Sequence, residues 1–350
     1  MRAAAFEQFG QPLKVHDDWA DPECGPRDVV LKVEACGVCR SDHTIWTGGI
    51  PWMGIVPELP VVLGHEYCGT IEEVGDQVEG FHEGERVVAP FNHSCGHCEQ
   101  CATGHQNICS DLQLPAVHYS GGYAQYTKVS RADVNLVRLP DDVPSEVAAG
   151  MGCRYITSYH GIVDRAQVHP GEWVAVFACG GVGLAAVNVA SALGANVIAV
   201  SRSPEKLALA EKVGAAHTVT AGPDAPEEIR ELTGGGAHVS VDALGSAATT
   251  IPALLSLRAG GRHLRLGVSN QEEQGKIEIP VDLLTFAELS MVGSFGMQAA
   301  RYPEMLRMVQ AGKLTPELLV GDTIALEDAG DVLAAMSGYD TVAMSVITEF

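Results

Sequence analysis

From Trp173 onward the chain alternates short β-branched runs with Ala/Leu-rich stretches of helical length, and this alternation restricts the fold more than any other feature. The runs are WVAVFA, NVIAVS, HTVTA, HVSVDAL, GRHLRLG and SMVGSF. Strands joined through helices run parallel, because each crossover returns the chain to the starting end of the sheet. A doubly wound α/β sheet of Rossmann type, with helices on both faces, is the expected result. Ser203 followed by Pro204 marks a helix start, and Gly214 its end. Up to about residue 150 the texture differs. Short stretches such as Val29–Val33 and Arg86–Ala89 lie between Gly and Pro residues, as in an irregular, mostly β domain. A length of 350 residues suits two domains. A helical stretch at 302–311 and a strand at 343–348 exceed the needs of the sheet and are assigned to the first domain. The expected division is 1–153 with 296–350, and 154–295.

The chain carries 44 acidic and 22 basic side chains, a formal net charge of −22. A field of that sign repels phosphate backbones and anionic lipids, which argues against nucleic-acid or membrane-surface partners. The acids are scattered, as on a solvated acidic surface or in a salt-adapted protein. No apolar run reaches the length of a membrane span. The N-terminal MRAAAFEQFGQP has no apolar signal core, so a cytoplasmic location is expected. In that reducing compartment ten cysteines suit metal binding better than a disulfide scaffold.

The segment CGHCEQCATGHQNIC spaces Cys95, Cys98, Cys101 and Cys109 by two, two and seven residues. Two-residue gaps turn neighbouring thiolates toward one ion, and the fourth closes a tetrahedron, as in a structural zinc site. An iron–sulfur cluster is the competing reading, but the bacterial ferredoxin pattern ends in a three-residue gap followed by Pro, where this chain has Ser110. Four thiolates fill the shell, so His93, His97 and His105 are read as bystanders. A second constellation is dispersed: Cys39 in ACGVCRSD, His65 and Glu66 in LGHEYCGTIEEVGDQV, and Cys153 in GMGCRYITSYHG. Each is weak alone. Together two thiolates and one imidazole leave the fourth position of a tetrahedral zinc open.

The strand WVAVFA runs into CGGVGLAAVNVASALG, the strand–turn–helix context of a dinucleotide site. Gly180 and Gly183, with Gly181 and Val182 in the same turn, let the backbone approach a pyrophosphate at the helix N-terminus. Ala178 stands where the first glycine of the triplet is usual. The second strand ends in VIAVSRSPEK, with Ser201 where an NAD-binding acid would sit, then Arg202 and Ser203. Without that carboxylate a 2′-phosphate suits the guanidinium and hydroxyls, so NADP is preferred. If Arg202 instead stacks beneath adenine or points to solvent, NAD is accepted too.

Gly64, His65, Glu66, Gly69, Gly75 and Val78 fall at the spacing of the zinc alcohol dehydrogenase signature. With CGVCRSD, the four-cysteine lobe and GGVG, the chain resembles the zinc-containing medium-chain dehydrogenase/reductase family from end to end. The resemblance implies a GroES-like catalytic domain beside the Rossmann domain, and two zinc ions per chain, one catalytic and one structural. It implies Cys39, His65 and Cys153 as catalytic ligands, with Asp42 orienting His65. Glu66 would assist ligand exchange, Ser41 would take the proton of the alcohol, and Arg40 would contact the cofactor pyrophosphate. The family commonly has a histidine five residues after the first ligand cysteine. Here that position is Thr44, with His43 one before it, so Thr44, His43 or water is the outer proton relay. Phe91 resembles a wall of the substrate pocket. Trp46 and Trp52 are candidates for the same wall or for core packing.

The activity implied is reversible oxidation of alcohols to aldehydes or ketones with NADP, or NAD, by a homodimer or homotetramer. A polyol or sugar dehydrogenase is the nearest alternative. Such members often carry glutamate at the third ligand position, where this chain has Cys153. A zinc- or redox-sensing protein without turnover, and a lyase or epimerase using nicotinamide transiently, are the rivals from other classes.

Overall fold

Each of the six β-branched runs becomes a strand in a computed structural model of the chain, which describes residues 1–339 and 341–350. They are β1 (Trp173–Phe177), β2 (Asn196–Ser201), β3 (His217–Thr220), β4 (Ala237–Asp242), β5 (Leu257–Arg265) and β6 (Ser290–Gly293). All their pairings are parallel, in the order β3-β2-β1-β4-β5-β6. The order reverses between β1 and β4, and doubly wound sheets bind ligands at the strand ends beside that point. β1 and β2 are buried along nearly their whole length, which is why they read as continuous apolar runs. Helix α1 (Gly181–Ala192) follows β1, with Ala185, Ala186 and Ala190 among its buried residues. Helix α2 (Pro204–Lys212) begins where the Ser203 hydroxyl accepts the Lys206 N–H at 3.3 Å.

By density of contacts the chain divides into Met1–Ile156 with Gly296–Gln310 and Val320–Phe350, and Thr157–Phe295 with Ala311–Leu319. Assignment of all of 296–350 to the first unit thus misses one segment. The Asn188 amide accounts for it. Its Oδ1 accepts the Thr315 N–H at 2.9 Å and its Nδ2 donates to the Thr315 hydroxyl at 3.0 Å, while Leu314 is buried. No local pattern announces such a long-range pairing.

The first unit is mostly β. Among the described residues, Val320–Ala325, Met344–Glu349, Val29–Gly37, Glu66–Val74, Arg86–Val88 and Val137–Arg138 line up in one sheet, with Tyr126–Val129 also paired to Val29–Gly37. A smaller antiparallel sheet joins Lys14–His16, Ala3–Phe6 and Val61–Val62. Val29, Leu31 and Val33 meet Tyr67, Ile71 and Val87 in its core. Gly69 lets the two longest strands close: a Cβ there would lie 2.1 Å from the Lys32 carbonyl oxygen. Among the described residues no helix is long and apolar enough to cross a membrane.

Candidate active site

Three elements of the first unit converge on one buried point. Cys39 caps the helix Arg40–Trp46, His65 directly precedes the strand Glu66–Val74, and Cys153 lies in the π turn Met151–Tyr155. The ligand atoms of Cys39, His65, Glu66 and Cys153 all lie within 4.8 Å of one another, and all four residues are buried. Asp42 is fully buried beside them. Its Oδ1 accepts from His65 Nδ1 at 2.9 Å and from the Gly64 N–H at 3.0 Å. Its Oδ2 accepts from the Tyr123 hydroxyl at 3.1 Å and the Cys39 N–H at 3.2 Å.

The Asp42 bond puts the His65 proton on Nδ1 and leaves Nε2 as a bare lone pair. Nε2 is buried without a hydrogen-bond partner among the described residues. A buried lone pair left unpaired is unfavourable, and a cation held by Cys39, His65 and Cys153 would satisfy it. The donor set suits zinc, which binds thiolate and imidazole. A hydrogen bond from Cys153, aided by the nearby charge of Arg154, holds the Cys39 thiol well below its ordinary range against the effect of burial. Cys153, as the donor, is pushed up.

Glu66 faces Arg154, which donates through Nε to both carboxylate oxygens at 3.1 and 3.2 Å and from its backbone N–H at 3.1 Å. Burial still pushes Glu66 up to about 7, against the pull of Arg154. Phe91 stands edge-on to His65, with ring centroids 5.9 Å apart. Ser41 is exposed on the helix Arg40–Trp46. Thr44 donates its hydroxyl to the Arg40 carbonyl at 3.1 Å, and His43 Nε2 lies 3.0 Å from the Ser337 hydroxyl. Burial, with Arg40 nearby, lowers His43 to about 4, so its imidazole is neutral at pH 7. The Arg40 guanidinium lies 3.6 Å from the centre of the Tyr339 ring and donates to the Met336 carbonyl. Trp46 packs against the core and donates to the Gln11 carbonyl at 2.6 Å, which favours the packing role for it; Trp52 is half-buried.

Cys95, Cys98, Cys101 and Cys109 form a second group of the same kind, apart from the first. Backbone N–H groups of His97 and Cys98 point at Cys95 Sγ at 3.4 and 3.3 Å, and those of Cys95 and Asp111 at Cys109 Sγ at 3.2 and 3.3 Å. Such donors stabilise negative sulfur. His97 and His105 turn instead to the Cys95 carbonyl and the Thr103 hydroxyl, and His93 to the Tyr119 hydroxyl.

In the second unit the glycine turn leads from β1 into α1, with Gly180 as its cap, so Gly181, Val182 and Gly183 form the first turn. A Cβ on Gly183 would lie 2.0 Å from the Ala178 carbonyl oxygen, whereas one on Gly180 would meet nothing within 4 Å. The first position demands glycine for packing and the second leaves the backbone open to a ligand. Ala178 itself adopts φ +72°. Ser201, buried at the end of β2, accepts the Ser203 N–H at 3.3 Å; Arg202 is exposed, and the Ser203 hydroxyl donates to Glu205 at 2.6 Å.

A family model described as zinc-binding dehydrogenase matches residues 181–311, and one described as alcohol dehydrogenase GroES-like domain matches residues 25–141. The chain is 35% identical over 339 residues to an alcohol dehydrogenase of Geobacillus stearothermophilus, covering 96% of each. It belongs to the zinc-containing medium-chain alcohol dehydrogenases. A sorbitol dehydrogenase of Bacillus subtilis is 34% identical over 316 residues, covering 89% of this chain and 87% of that protein. The crystal structure of an NAD-dependent alcohol dehydrogenase matches with a TM-score of 0.89 and 33% identity, covering 100% of both chains. In this member of the family two site residues escaped the sequence reading. Arg154 was signalled only by its place beside Cys153, and Tyr123 only by the glycine pair of GGYAQY.

Proposed function

We propose that the chain interconverts alcohols and aldehydes or ketones by hydride exchange with a nicotinamide cofactor, at a catalytic zinc held by Cys39, His65 and Cys153. The carrying observation is that His65, whose buried Nε2 has no hydrogen-bond partner among the described residues, has a ring nitrogen within 4.8 Å of the sulfurs of Cys39 and Cys153. Bound there, zinc would supply Lewis acidity to the alcohol or carbonyl oxygen. Asp42 keeps the His65 proton on Nδ1, Glu66 assists ligand exchange, and Phe91 walls the pocket. Ser41 accepts the proton of the alcohol and passes it outward by His43, Thr44 or water. Cys95, Cys98, Cys101 and Cys109 hold a structural zinc. Metal analysis of the purified chain tests both sites, with one zinc expected for each of the two groups. Ser41→Ala should lower kcat more than His43→Ala or Thr44→Ala, and whichever of the latter alters the pH–rate profile marks the relay.

The end of β2 supports NADP preference: Ser201 carries no charge, and exposed Arg202 is free to meet a 2′-phosphate. Gly180, Gly181, Val182 and Gly183 receive the pyrophosphate. Glu205 on the Ser203 hydroxyl opposes the extra phosphate, so a preference of only roughly tenfold in kcat/KM is expected. Ser201→Asp should reverse it and Glu205→Gln should widen it. Equal or better efficiency with NAD in the wild-type chain would overturn this reading. A polyol substrate is the second reading, favoured by the sorbitol dehydrogenase relative. Initial rates on sorbitol against simple alcohols and ketones separate the two.

The exposed edge of β6 supports a homodimer or homotetramer. Phe286, at the end of the helix Val281–Phe286, is 90% exposed, and Val281 and Met291 are exposed beside it in the chain.

A further inference from the structure

Tyr123 is fully buried, and the reaction proposed above does not employ it. Two contacts tie it to His65. Its hydroxyl donates to Asp42 Oδ2 at 3.1 Å, on the far side of the carboxylate from His65 Nδ1. Its ring lies against the turn that carries His65: Gly64 sits at φ +94°, and a Cβ there would fall 2.4 Å from the ring.

The segment leading into Tyr123 is built for that approach. The N–H groups of Gly121, Gly122 and Tyr123 donate to the carbonyls of Val62, Gly64 and Leu63 at 2.8, 2.7 and 2.9 Å. A Cβ on Gly121 would fall 2.1 Å from the Gly64 carbonyl oxygen, and one on Gly122 would fall 2.9 Å from Tyr67 Cβ. Neither position admits a side chain, and the glycine pair of GGYAQY exists to lay the tyrosine along 62–64.

We propose that Tyr123 is a positioning residue for the catalytic metal site, fixing Asp42 through its hydroxyl and the His65 turn through its ring. The proposal rests on the reading of Cys39, His65 and Cys153 as zinc ligands. Asp42 Oδ1 is held by two donors whatever occupies position 123. Oδ2 is held by the phenol and by the Cys39 N–H at 3.2 Å. Without the phenol one long bond remains on that oxygen, and the carboxylate gains freedom to turn. The Nδ1 proton of His65 then loses a fixed acceptor, and the aim of Nε2 broadens. Partners of this kind change metal retention without touching the metal.

Tyr123→Phe keeps the ring and removes only the hydroxyl. The test follows zinc release from the intact, zinc-loaded chain to a chromogenic chelator, alongside thermal unfolding. Zinc should leave the catalytic site roughly tenfold faster in Tyr123→Phe, the lower end of the range for such partners. Release from the four-cysteine lobe should not change. In an Asp42→Asn background the same substitution should add no acceleration, because the carboxylate that transmits its effect is gone. Unchanged release in Tyr123→Phe overturns the proposal, as does equal acceleration in both backgrounds. A wild-type chain that releases zinc only from the lobe overturns the ligand reading and the proposal with it, so the two failures are distinguishable.

Discussion

Cys153 and Cys179 are both buried, yet among the described residues only Cys153 has neighbours that can share an ion with it. Cys179 lies in the glycine turn and points its thiol at the Val200 carbonyl, 3.7 Å away. Cys153→Ser should therefore lower zinc content and kcat/KM together, by roughly tenfold or more, as one thiolate leaves an open three-ligand site. Cys179→Ser should leave the zinc content unchanged. Full metal and activity in both variants would remove Cys153 from the ligand set. Ala178 presents a different single-residue question, since φ +72° is costly for a residue with a Cβ. Glycine would relieve about 1–2 kcal/mol of strain and lose about 0.4–1 kcal/mol to the greater entropy of the unfolded chain. Ala178→Gly should thus raise the urea midpoint by an amount corresponding to roughly 0.5–1 kcal/mol, and a lower midpoint would show that the strain is relieved elsewhere.

At the scale of elements, the four-cysteine lobe has little apolar core beyond its sulfurs. Its helical pieces, Glu99–Ala102 and Gln106–Ile108, are four and three residues long, far below the length at which a helix persists alone. Its core consists of Cys95, Cys101 and Cys109, with Cys98 and Leu112 packed against them. A metal ion bound there would replace the hydrophobic core the lobe lacks. Cys101→Ser should open residues 95–111 to limited proteolysis while the six-stranded sheet keeps its protection. A lobe that stays protease-resistant in that variant would mean that packing alone sustains it. The dispersed site differs, because Cys39 caps a helix, His65 directly precedes a sheet strand and Cys153 lies in a π turn, all three buried among elements with a core of their own. A chelator should strip that site first and stop turnover without unfolding the chain.

For the whole molecule, the surface beside β6 and the net charge pull in opposite directions. A charge of −22 on each copy opposes self-association, whereas Phe286 at 90% exposure favours it. Association of copies through this edge should therefore strengthen with salt, which screens the repulsion. On the proposed association through this edge, Phe286→Asp should lower the mass seen in light scattering at matched salt and change stability by no more than about 0.5 kcal/mol, as for a surface change. An unchanged mass would show that this edge carries no association.

The sequence by itself determined the features whose causes are local. Six strand runs, the glycine turn, the Ser203–Pro204 helix start and the spacing of Cys95, Cys98, Cys101 and Cys109 are all written within a few residues of one another, and each has its place in the fold. Cys39, His65 and Cys153 lie far apart in the chain. Their grouping was legible through a family pattern, but only the packing of three separate elements brought their ligand atoms within 4.8 Å of Glu66 and of each other. Other features had no sequence signal strong enough to read. Arg154 on Glu66, Tyr123 on Asp42, Glu205 on Ser203 and Asn188 on Thr315 each depend on where a side chain meets a partner. Hydrophobic period and turn chemistry act over a few residues, and so they leave a local trace. A polar contact across 81 residues, such as Tyr123 to Asp42, is decided by tertiary packing, where a buried carboxylate must find its donors.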